Sequence, residues 1–281
     1  MSAAALRALV TGLVDYAGLF PPAALDMPEA VAAYASYLDS DDAWALGRFI
    51  VPVARLDELA AAAGALVTQR TAPWRLSALL GENPVGDAAW VSAFNAKHTG
   101  RFVVDVAEFR ASTAEAIVRG TRALDRWIIA YVELPVDEDP LRLLHGVKQA
   151  RARAKIRTGG VTPEAFPSTA HVARFLTRCV EVGVPFKATA GLHHPLRAEY
   201  RLTYAPNAPR GTMFGFLNLF LAAAFALTGI GESTLARLLE ERDPAAFRFT
   251  DDSAVWRGFP LMLDQLVEAR ASLGIGFGSC S

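Results

Sequence analysis

Short apolar runs alternate with stretches of helical periodicity along the whole chain. Residues 13–20, 48–53, 74–80, 102–106, 127–134, 152–158, 185–190 and 247–250 read as strands. Each is followed by a helical pattern, for example at 28–38, 56–67, 113–124, 140–151, 169–182 and 261–273, and residues 1–13 look like a first helix. Several strand runs are almost unbroken Val, Ile, Leu and Phe, as expected of parallel strands covered on both faces. Eight strand–helix units in a chain of this length predict an α/β fold, a (β/α)8 TIM barrel, in a single domain over 1–281. An open doubly wound sheet is the alternative, but no Gly-x-Gly-x-x-Gly follows the first strand.

One connection is long, from 192 to about 211, and holds Pro195, Pro206, Pro209 and Gly211. It follows the seventh strand on the rim where barrel active sites lie, with 200–204 as an extended arm. It reads as a lid, a substrate-shaping loop or a subunit contact. The apolar run 213–227 is too short to span a bilayer and contains Asn218. It reads as a buried helix or a subunit interface, and the second option makes the chain a homo-oligomer.

The 281 residues are 52% hydrophobic and 20% charged, enough for a large core. A formal net charge of -1 gives no electrostatic case for nucleic acid or an anionic membrane as partner. Cys179 and Cys280 offer neither a disulfide framework nor metal-ligand spacing, which fits a reducing cytoplasm.

The candidate chemistry rests on two lysines about one βα unit apart. Lys155 stands in Ala154-Lys155-Ile156-Arg157-Thr158-Gly159-Gly160, and Lys187 in Phe186-Lys187-Ala188-Thr189-Ala190-Gly191. Residues two apart share a face of a strand. Lys155 and Arg157, Lys187 and Thr189, Tyr131 and Glu133, and Val103 and Asp105 therefore form same-face pairs on four consecutive strands. Facing the helix layer, these charges would be buried without partners, so they belong inside the barrel. The bland reading is an interior salt-bridge network. The sharper one is amine catalysis. An ammonium beside another cation loses its proton more easily. The neutral amine then adds to a carbonyl, and the imine is an electron sink. Asp105 or Glu133 would move protons.

The segment from Lys155 to Gly191 resembles deoxyribose-phosphate aldolase, a class I aldolase family with a (β/α)8 barrel. That family carries Lys-Thr-Ser-Thr-Gly on strand six and Val-Lys-x-x-Gly-Gly on strand seven. The resemblance implies that Lys155 forms the Schiff base and Lys187 lowers its pKa, with Asp105 in place of a strand-four aspartate. It also matches Phe247-Arg248-Phe249-Thr250 with the opening of strand eight. Arg157 stands where the family has a small residue, and Asp251 and Asp252 stand where it has a phosphate-binding turn. The expected substrate is therefore a small carbonyl compound bearing a carboxylate rather than a phosphate, with Arg157, Lys187 and Thr189 as its contacts. No metal or cofactor is called for.

His193 and His194 follow the seventh strand. They read as acid–base or substrate-binding groups, as metal ligands with Glu133 or Asp105, or as loop-capping residues. Asp15 and Tyr16 either reach the site or pack. The tail 274–281 is glycine-rich and apolar. It is expected to fray, or else to fold over the barrel mouth and present Cys280. Three functions follow: an aldolase-like lyase, a metal-dependent hydrolase or isomerase, or a non-catalytic binding barrel. The last predicts no open pocket beside Lys155.

Overall fold

The computed structural model describes residues 3–68 and 72–280. Eight parallel strands close into a barrel. They are β1 (Val14–Tyr16), β2 (Leu46–Pro52), β3 (Trp74–Leu79), β4 (Phe102–Arg110), β5 (Ile129–Glu133), β6 (Arg153–Arg157), β7 (Phe186–Thr189) and β8 (Gly274–Ser279). Helices alternate with them on the outside, giving the (β/α)8 architecture. Local sequence signals set the helix ends. Met27–Leu38 opens on an Asp26/Glu29 capping box with Pro28 in its first turn. Thr169–Val182 is capped by Ser168 and stops at Gly183, whose φ of 68° suits a residue without a Cβ. The first helix runs Ala4–Val10; Met1, where it was expected to start, lies outside the described residues.

The eighth strand corrects the sequence reading. Phe247–Phe249 is not in the barrel: it pairs antiparallel with Ser253–Trp256, which pairs antiparallel with Phe259–Met262. Short turns separate these runs, and such turns join antiparallel strands, whereas a parallel barrel strand needs a long crossover. Closure falls to the glycine-rich tail. As β8, it pairs in parallel with both β1 and β7, and the expected frayed end is an ordered barrel strand. Its period-two pattern explains why. Phe277 faces outward and packs on Phe216 and Phe220, with centroids 5.5 and 5.7 Å apart. Gly276 and Gly278 alternate with it.

Phe216 and Phe220 belong to the helix Phe216–Leu227, which is buried from Asn218 to Ala226. Asn218 is accommodated there because its amide donates to the carbonyls of Leu238 and Glu241 and accepts from the Arg197 N–H. The long connection after β7 contains a hairpin of Ala198–Arg201 and Arg210–Met213. Among the described residues no helix is long and apolar enough to cross a membrane.

Candidate active site

Lys155 and Lys187 are direct partners in the β6–β7 ladder. Both side chains are almost fully buried inside the barrel. Between them stands Glu108 of β4. Its Oε2 lies 2.9 Å from Lys155 Nζ, and its Oε1 lies 2.6 Å from Lys187 Nζ. The Ser77 hydroxyl donates to the same Oε1 at 2.6 Å. Lys187 also pairs with Asp15 Oδ2 at 2.6 Å, and Asp15 Oδ1 accepts the Arg48 N–H. On the other side, Lys155 pairs with Glu133 Oε2 at 3.0 Å. Glu133 Oε1 in turn meets Arg157 at 3.2 Å and Arg110 at 3.0 Å. The carboxylates and cations thus alternate in one line across the barrel: Asp15, Lys187, Glu108, Lys155, Glu133 and the two arginines.

Burial alone would push the Glu108 carboxyl up. The two ammonium groups and the Ser77 hydroxyl outweigh it and hold Glu108 well below the ordinary carboxylate range. Burial would likewise favour a neutral Lys187, but Asp15 and Glu108 outweigh it and hold the amine above its ordinary value. Lys187 is therefore a resident cation. Burial opposes ionisation of Glu133 too, and Lys155 and Arg157 again reverse the effect.

A cavity of about 760 Å³ opens above this floor at the C-terminal end of the barrel. Glu108, Glu133, Lys155, Arg157 and Thr189 line it, whereas Lys187 does not. Lys187 thus contacts the network from below and is not the substrate contact the sequence suggested. Arg110 and Arg119 stand at the cavity's edge, while Phe20, Ile50, Leu80 and Val85 supply apolar wall.

Asp105 also departs from the expectation. It is held by Arg48 at 2.6 Å and Arg75 at 2.6 Å, and it does not line the cavity. The β3–β4 register passes from Leu76↔Val104 to Ser77↔Val106, which leaves Asp105 in a bulge. The extra residue resets the alternation, so Glu108 is the acid that faces the amines. Sequence reading missed Glu108 because it ended the strand at Val106, four residues short. Arg110 was missed for the same reason.

His193 reaches the cavity, and His194 does not: its ring stacks on Tyr200 at 3.5 Å. The two do not converge with Glu133 and Asp105. Among the described residues no group of three or more His, Cys, Asp or Glu side chains is placed to hold a metal ion. Asp15 is part of the ion-pair line, whereas Tyr16 packs against Tyr34, Tyr37 and Phe49. Cys280 lines the cavity, just beyond β8. The signal for this strand was the Gly-x-Gly-x-Gly alternation with Ile275 and Phe277.

No family model matches the chain, and no curated protein matches it. Among solved structures, a nitroalkane oxidase from Streptomyces ansochromogenes is similar at a TM-score of 0.37 and 17% identity. The match covers 68% of this chain and 62% of that one. A likeness of that size carries no functional argument. The fold is a TIM barrel, and the likeness to class I aldolases rests on the two lysine motifs without family-level support. Its strand-eight part falls away, because residues 247–250 lie outside the barrel.

Proposed function

We propose that the protein is a lyase of the class I aldolase type, in which Lys155 forms an imine with a small carbonyl compound carrying a carboxylate. One observation carries the reading: of the two coupled amines, Lys155 alone borders the cavity, with the Glu133 carboxylate 3.0 Å away. With that amine neutral, both neighbouring carboxylates would still hold other partners. Glu108 keeps Lys187 and Ser77, and Glu133 keeps Arg157 and Arg110. No carboxylate is left buried without a partner.

In this mechanism the Lys155 proton passes through Glu133 to the substrate oxygen. The Nζ lone pair adds to the carbonyl carbon. Loss of water gives the iminium, which accepts the electron pair of the breaking carbon–carbon bond. Glu133, in reach of the amine, relays protons at each step. Lys187 keeps its proton and holds Glu108 in place beside the reacting amine. Arg110, Arg119 and Arg157 favour a carboxylate at the open side. An open cavity beside Lys155 also weighs against the non-catalytic barrel.

Incubation with glyoxylate or pyruvate and borohydride, followed by intact mass and peptide mapping, tests the reading. The expected result is a reduced adduct on Lys155, absent from Lys155→Arg and weaker with acetaldehyde, which has no carboxylate. An adduct mapped to another lysine, or none with either acid, overturns it.

A further inference from the structure

The ion-pair line leaves one reactive group of the cavity unused. Cys280 Sγ lies 3.6 Å from Nδ1 of His193, within the range of a sulfur hydrogen bond. The Tyr204 hydroxyl approaches the same sulfur at 3.8 Å. The three side chains come from separate segments: the end of β8, the loop after β7, and the loop of the hairpin Ala198–Arg201/Arg210–Met213. Cys280 is 6% exposed, yet it and His193 both line the cavity that holds Lys155.

Gly278, two residues before Cys280, lines the same cavity, and a Cβ there would come within 2.9 Å of Ile50 Cδ1 and 3.9 Å of Thr189 Oγ1. Ala17, Phe20 and Ile50, from the β1–β2 side, supply apolar wall of the same cavity, and Ala17 and Ile50 lie beside Gly278.

We propose that Cys280 and His193 form a thiol–imidazole nucleophile that adds reversibly to the carbonyl carbon of an aldehyde with an apolar body. The S–C bond forms as the carbonyl π pair moves to oxygen. The thiol proton passes to His193 Nδ1 and on to that oxygen, giving a hemithioacetal. No leaving group, oxidant or reductant is needed. Burial, with a smaller contribution from His194, keeps the His193 imidazole neutral and able to accept that proton. The unit does not depend on imine chemistry at Lys155.

Iodoacetamide labelling with peptide mapping tests the pair. Cys280 is expected to alkylate, while Cys179, fully buried on a helix, serves as the unreactive control. His193→Asn should slow Cys280 alkylation at least about tenfold. Butanal should protect Cys280 in the native chain and equally in Lys155→Arg. Unchanged alkylation in both His193→Asn and His193→Gln overturns the proposal, as does lack of protection by butanal. Protection that disappears in Lys155→Arg also overturns it and assigns the aldehyde to the amine. Should Lys155→Arg not fold, borohydride on the native chain separates the cases: a butanal-protected state at Cys280 that gains a reduced mass on Lys155 is an imine, and one that gains none is a thiol adduct.

Discussion

Lys187 illustrates how a buried charge is tolerated. Its ammonium touches two carboxylates at 2.6 Å each and stands 5.5 Å from the centroid of the Tyr131 ring. Replacing it by Met would leave Asp15 with no ammonium partner and Glu108 with one ammonium in place of two, and removing one partner of a buried ion pair costs about 3–5 kcal/mol. Urea unfolding of Lys187→Met should fall by that amount. Adding Asp15→Asn should restore part of the loss, giving a coupling energy clearly different from zero in a double-mutant cycle. Additive losses would mean that the pair contributes nothing jointly. At this scale much of the site was legible. Two lysines and Glu133 at even spacings on strand-like runs point into one interior, and the side chains do meet there. Glu108 was not legible, because a one-residue bulge has no signature in a run such as Val103-Val104-Asp105-Val106-Ala107.

At the level of elements, β8 closes the barrel and puts Gly278 on the cavity wall. A strand with glycine facing the interior spends backbone entropy and gains room that no other residue would leave. Gly278→Val should retain the barrel, since Ile50 presents only the end of a flexible side chain, but fill the space next to Thr189. Far-UV circular dichroism should be unchanged, while both borohydride trapping at Lys155 and butanal protection of Cys280 weaken. Full retention of both would show that the glycine is there for strand packing alone. The contrast with Phe247–Phe249 explains the error in reading the eighth strand. An aromatic run looks more like a strand than Gly274-Ile275-Gly276-Phe277-Gly278 does, because propensity scores side chains, and the deciding feature here is their absence. The other seven strands were legible because each is followed by helical periodicity long enough for a crossover.

For the whole molecule, the titration of the interior predicts a stability window. Glu108 is held below its ordinary 4.5, so its contribution is complete above that pH and is lost as acid protonates it. Lys187 is held above its ordinary 10.5, so its contribution is complete below that pH and is lost as base removes its proton. The unfolding free energy should therefore be level between these limits with respect to the two groups and fall on either side. Measured by urea titration across pH, Glu108→Gln should flatten the acid limb. An acid limb of undiminished slope in that variant would place the acid sensitivity elsewhere.

The two oxygens of Glu108 have one further consequence. Because each serves a different amine, the carboxylate is a shared tether: loss of either lysine side chain would leave Glu108 held by the other, so β4 stays anchored to both β6 and β7 through a single residue.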